Sequence, residues 1–291
     1  MSQPRPLLNL GPRDDYVYCS SRGASRNERG NPISILEHLS TNTYHPHSTN
    51  HLLFNITTGS KIDRIVNMII SKHQERGSPE NSHAYIIGGY CDITYREKIN
   101  NYQIKNYATG QRSHGRYEEV SFMDTIKESY TKAIHRYTNA DNILKSEGIR
   151  PCFATVPPSS LEKWNDYRLF HGNTSFLIHE SQYKDMQEGM NEALTKINGF
   201  ICKLNALNGM DTPYLAGTVV KTWSKKNRDT NLQRHKLYDG VHADDKLIKE
   251  WATKLQHAID RNRSKPDNQM PRLNMHTPRK LAWVLEGIEI E

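Results

Sequence analysis

The chain is short of cysteine, and the few it has are scattered at Cys19, Cys91, Cys152 and Cys202. No two of them share the close spacing of a zinc-ligand pair, so neither a structural metal site nor a disulfide framework is indicated. At least three sit in or beside apolar runs and read as reduced core residues. Long hydrophobic runs are missing too. Nothing is apolar enough to span a bilayer, and residues 1–10 lack the apolar core of a secretory leader, so the expectation is a soluble, intracellular protein. No segment repeats another. A strong charge of one sign is also absent: 39 Lys and Arg against 32 Asp and Glu give +7. That mild excess permits contact with nucleic acid or an anionic surface but does not select for it.

What is present is enough for one substantial core: 291 residues, 35% hydrophobic. A single domain over residues 15–262 is expected, with a tail at 1–14 and another at 263–291. Strand and helix patterns alternate along it. Residues 16–19, 51–56, 84–89, 151–156 and 214–220 read as five strands. Between them lie helical periodicities. Asn31-Pro32 reads as a cap and first-turn proline opening a helix through Ile33, Leu36 and Leu39. Ile62, Ile65, Val66, Ile69 and Ile70 mark a second helix, and Met123, Ile126, Tyr130, Ile134 and Tyr137 a third. Tyr183, Met186, Met190, Leu194, Ile197, Ile201 and Leu204 mark a fourth. A last one begins near Asp244 with Leu247, Ile248, Trp251, Leu255, Ala258 and Ile259 on one face. This alternation predicts an α/β fold: a three-layer α/β/α sandwich around a five-stranded parallel sheet, with its site at the carboxyl ends of the strands.

Two segments stand outside that pattern. Residues 94–117 are polar and rich in Tyr, Lys and Arg, and read as an inserted loop above the third strand, a candidate lid. The tail from Arg261 onward holds Pro266, Pro271 and Pro278 and reads as extended or poorly ordered.

The chemistry points to Asp239-Gly240-Val241-His242, immediately before the last helix. An Asp and a His three apart in a tight loop can hydrogen-bond, which orients an imidazole and stabilises its protonated form, as a general base acting on a serine requires. Taken singly, such a pair is as often an ordinary surface Asp and His. Upstream blocks in the same order change that: Cys19-Ser20-Ser21 ends the first strand, Thr58-Gly59-Ser60 follows the second, and Gly89-Tyr90-Cys91-Asp92 follows the third. With these blocks the chain resembles the SGNH, or GDSL-like, hydrolase family, whose fold is flavodoxin-like, over roughly residues 15–262.

That resemblance implies Ser21 as nucleophile, with Ser20 a neighbouring alternative, and Asp239 and His242 as its partners. It implies the Gly59 amide as an oxyanion donor and places Cys91 where the family carries the oxyanion asparagine. Ser20 also stands where the family has aspartate. A thiol is a weak donor beside an amide, and losing one oxyanion donor costs about a hundred- to a thousandfold in rate. No metal or cofactor is called for, and the implied partner is a small-molecule or acylated substrate. The competing reading is a non-catalytic domain of the same fold that binds RNA or single-stranded DNA. It rests on Lys225, Lys226, Arg228, Arg234 and Lys236, on the basic tail, and on tyrosines of the 94–117 insert that can stack on bases. A third reading, an accessory protein of a virus or mobile element that has kept only the scaffold, stays open.

Overall fold

The computed structural model describes residues 14–20, 23–26, 32–40, 51–57, 60–93, 96–99, 103–106, 112–113, 122–172, 183–222 and 230–265. The sheet is built first. Strand β1 (Asp14–Ser20) is buried along its whole length. Two short strands follow, β2 (Ala24–Arg26) and β3 (Pro32–Ser34), paired antiparallel to each other. Helix α1 (Ile35–Ser40) comes next, then β4 (His51–Thr57), α2 (Ile62–Glu75), β5 (Ser82–Ile87) and the single turn α3 (Tyr90–Ile93). The insert holds β6 (Arg96–Ile99), β7 (Gln103–Asn106) and β8 (Arg112–Ser113), and the core resumes with α4 (Phe122–Ser146) and β9 (Ile149–Phe153). The chain then runs through α5 (Leu161–Phe170), α6 (Tyr183–Leu207), β10 (Val220–Thr222), β11 (Thr230–Leu232) and α7 (Asp245–Ser264).

The main sheet has the order β4-β1-β5-β9, all parallel. Strand β1 lies between β4 and β5, the next two strands of this sheet, so the direction of sheet growth reverses beside it. In open α/β sheets the crevice beyond the carboxyl ends at such a reversal is where ligands bind. Side-chain alternation assigns the layers. Tyr16 and Tyr18 join a core with α2, α4 and α6 on one face, while Val17 and Cys19 join a second core with α1 and α7 on the other. This is the α/β/α sandwich expected from the sequence.

Several details differ from that expectation. The main sheet has four strands, not five. The segment read as the fifth runs beside β9, where Thr155 N donates to Pro213 O at 3.1 Å, but Leu215 N, which would return the bond in a parallel pair, donates back to Pro213 O, also at 3.1 Å. Ala216 N donates to the Thr155 hydroxyl instead, at 2.9 Å, and residues 216–218 close into a 3-10 turn. Strand β10 then leaves to pair antiparallel with β11. Pro32 and Ile33 lie in β3 rather than in a helix; α1 starts at Ile35, where Ser34 Oγ accepts from Glu37 N at 3.3 Å. The insert carries a three-stranded antiparallel sheet, β6-β7-β8, where a loop was expected. Helix α5 has no apolar stripe to betray it, burying only Leu161 and Asn165, and was not expected. Residues 261–264 belong to α7 rather than to an extended tail. Among the described residues no helix is long and apolar enough to cross a membrane.

Candidate active site

The Asp239–His242 loop is closed on itself before it touches anything else. Leu237 and Ala243 form an antiparallel bridge, Tyr238 N donates to His242 O at 2.6 Å, and Asp244 N donates to Lys236 O at 2.8 Å. Asp244 then caps α7, its Oδ1 accepting from Leu247 N at 2.7 Å. The Asp239 carboxylate is used on both sides. Oδ1 accepts from Val241 N at 2.9 Å and His242 N at 2.7 Å, and Oδ2 faces His242 Nδ1 at 2.7 Å. Burial works against its charge, but the His242 ring and these two amides outweigh it and hold the carboxyl below its ordinary value. An ionised carboxylate only accepts, so Nδ1 is the donor in this pair and Nε2 is the ring nitrogen not engaged by Asp239.

The loop is fixed to the body through α5. Gly240 has φ +87°, and a Cβ there would lie 2.5 Å from both Ser160 O and Trp164 N, so only glycine fits. Gly240 O accepts from Ser160 N at 2.7 Å. Next to it, Ser159 Oγ and Tyr90 OH are 2.6 Å apart, and Gln187 of α6 holds both Ser159 O and Leu161 N. Because Tyr90 precedes Cys91, the turn after β5 and the histidine loop are joined through three side chains and one backbone bond.

At the carboxyl edge, register aligns the ends of the strands from which the first three blocks follow. Ser20 pairs with Thr57, and Cys19 with both Ile56 and Ile87. Ser21 therefore follows the end of β1, and Gly59 follows β4 beside it; both lie outside the described residues. Cys91 is half-buried in α3, directly beyond β5. Ser20 is buried, as is Ser60, and neither hydroxyl has a hydrogen-bond partner among the described residues. Of the basic residues, Lys225, Lys226 and Arg228 lie outside the described residues. Arg234 pairs with Glu162, while Lys236 Nζ donates to Thr218 O at 2.9 Å and reaches Glu250 at 3.5 Å, so both are engaged within the chain.

A cleft of about 510 Å³ opens beside the histidine loop, with Tyr167, Phe170 and Tyr238 on its apolar side and Glu162, Asp166 and Arg234 around them. The Tyr167 and Tyr238 rings meet edge to face at 5.4 Å, and Phe170 is 86% exposed. Sequence reasoning missed this cleft because it depends on α5; the signal available was Ser160 after Pro157-Pro158, a helix cap after a break. Among the described residues no group of three or more His, Cys, Asp or Glu is arranged to hold a metal ion. None of the four cysteines is in a disulfide; burial pushes the Cys19 and Cys152 thiols far up and Cys202 to about 11, as inert core thiols behave.

No family model matches the chain, and no curated protein does. Among solved structures it is similar to a putative acylhydrolase from Bacteroides fragilis, 12% identical over 89% of this chain and 91% of that one, TM-score 0.48. It is also similar to the lipase/acylhydrolase from Enterococcus faecalis, 10% identical over 88% and 100%, TM-score 0.49. A third is the acetyl xylan esterase AlAXEase, 14% identical over 84% and 99%, TM-score 0.44. At TM-scores below 0.5 these likenesses carry no weight of their own. The class rests on the chain itself: an α/β domain with a parallel sheet, an imidazole oriented by an aspartate in the loop before the last helix, and a resemblance to SGNH-like hydrolases in motif order.

Proposed function

We propose that the chain is a serine hydrolase of the SGNH type, acting on a carboxylic ester. The observation that carries this reading is the Asp239–His242 pair, 2.7 Å apart with Asp239 also held by two amides, in a loop tied through Ser160, Ser159 and Tyr90 to the turn after β5. Fold alone would not suffice.

In this mechanism the Ser21 hydroxyl attacks the ester carbonyl and His242 Nε2 takes its proton. Asp239 holds the imidazolium through Nδ1. The carbonyl electrons move onto oxygen, and the oxyanion is received by the amides of Ser21 and Gly59, with Cys91 as a weak third donor. As the tetrahedral intermediate collapses, the C–O bond to the alcohol breaks and His242 returns the proton to the leaving oxygen. Water then attacks the acyl-serine by the same path, releasing the acid and restoring Ser21. The aromatic cleft at Tyr167, Phe170 and Tyr238 takes the alcohol or acyl portion, whichever is larger and less polar.

A fluorophosphonate probe tests the reading. Covalent labelling mapped to Ser21, lost in Ser21→Ala and in His242→Ala, is the expected result. Labelling at Ser20 moves the nucleophile by one residue. A folded chain that takes no label and hydrolyses no aryl ester overturns the proposal.

A further inference from the structure

Helix α2 begins without a cap of its own. Lys61 sits at the N-cap position in extended backbone and makes no side-chain hydrogen bond to the first turn, although free amides there call for an acceptor. The acceptor arrives from thirty residues away: Asp92 Oδ2 accepts from Ile62 N at 3.2 Å. Its other oxygen accepts from Arg136 Nη1 of α4 at 2.8 Å, and Arg136 Nε reaches Asp63 of α2 at 3.4 Å. The Asp92 side chain is fully buried. Asp92 comes one residue after Cys91, and Ile62 three after Gly59. One buried carboxylate therefore ties together the turns that follow β4 and β5, on either side of β1.

We propose that Asp92 is a positioning residue whose ionised carboxylate holds the two oxyanion turns, those of Gly59 and Cys91, in register with each other. The proposal rests on the esterase reading above. A negative charge at a helix N-terminus is favoured by the helix dipole, and an ionised acceptor holds amide and guanidinium more strongly than a neutral one. The groups facing Asp92 are Arg136 and Tyr137 of α4 and Asp63 of α2. Burial raises the carboxyl to about 6 against the lowering effect of Arg136 and the Ile62 amide. A carboxyl raised in the folded state binds more protons folded than unfolded between the ordinary carboxylate range and about 6. Stability therefore falls as pH rises through that window. At neutral pH the charge on Asp92 costs the fold stability. An isosteric asparagine would avoid that cost, so a role in packing alone gives no reason for the charge, whereas positioning does.

The test uses the full chain and two readouts. In NMR, the Ile62 amide should titrate with a midpoint near 6 in the native chain, stay flat in Asp92→Asn, and move to higher pH in Arg136→Gln, which removes the facing cation. With an aryl acetate, Asp92→Asn should lose about a hundredfold in kcat, as for a misplacement of about 1 Å, with KM changed less than about threefold. Its melting temperature at neutral pH should equal or exceed the native value. Native kcat in folded Asp92→Asn overturns the positioning role, and an Ile62 amide that does not titrate overturns the clamp. If Asp92→Asn fails to fold, Arg136→Gln decides: a midpoint that does not rise counts against the proposal. A native chain with the titration intact but no turnover and no phosphonate label overturns the esterase reading and the catalytic purpose with it, and leaves the clamp standing.

Discussion

The two ends of the parallel sheet use polar groups in opposite ways. At the amino end the two buried carboxylates of β1 are each paired with a guanidinium. Arg76 Nε meets Asp14 at 2.9 Å and Arg263 Nε meets Asp15 at 2.5 Å, with His83 Nδ1 3.8 Å from the same Asp15. At the carboxyl end the Ser20 and Ser60 hydroxyls are buried without partners among the described residues, Asp92 bears a charge that burial opposes, and Asp239 is committed to orienting a histidine. Folding accounts for the first end. The second gathers the buried polar groups from which the proposed site is built.

The sharpest way to break that contrast is to remove the nucleophile and base. Ser21→Ala and His242→Ala should each lower kcat/KM on an aryl ester by roughly 10⁴- to 10⁶-fold, Ser21→Ala with little change in melting temperature and His242→Ala with no more than the loss of its bond to Asp239. A large loss of stability with either would place these residues among the structural ones. At the opposite end, Arg263→Ala leaves the fully buried Asp15 carboxylate without its guanidinium. Urea unfolding should register a loss of about 3 kcal/mol, toward the low end for a broken buried pair because Arg263 is partly exposed. Turnover per folded molecule should be unchanged.

Cys91→Asn sharpens the comparison from the other direction, since it adds a donor where the site is deficient. Aryl ester turnover should rise by roughly ten- to a thousandfold, and nothing should be gained in a Ser21→Ala background. Asp239 offers a pH readout. Its folded carboxyl is held below the ordinary value, so its contribution to stability is present above the unfolded pKa and lost as pH falls through the depressed folded one. Melting curves of native chain and Asp239→Asn should therefore differ at neutral pH and converge in strong acid. The smallest effect is expected in the cleft: Tyr167→Ala or Phe170→Ala should raise KM for a bulky ester by a few-fold, about 1 kcal/mol of lost contact, leaving kcat and KM for a small acetate near native values.

Features made by neighbours in sequence were legible in the sequence. The Asp239–His242 pair spans three residues, and its hydrogen bonds are local. Helix α7 announced itself by the spacing of Leu247, Trp251, Leu255 and Ile259, all buried, and strands β1, β5 and β9 by apolar runs buried on both faces. The order of blocks was enough to predict an α/β sandwich of SGNH-like design. Tertiary contacts decided the rest. Local propensity favoured a fifth strand over residues 214–220, but Leu215 N turns back onto Pro213 O instead of returning Thr155's bond, and the strand that does form, from Val220, pairs with β11 outside the main sheet. Helix α5 exists because Ser160 caps it and Gly240 packs on its first turn, contacts that no local period encodes. The cap of α2 is Asp92 of another element, thirty residues on. Local sequence determines what a short stretch can do with its own atoms; which distant carboxylate, glycine or ring completes it is fixed only when burial brings the elements together.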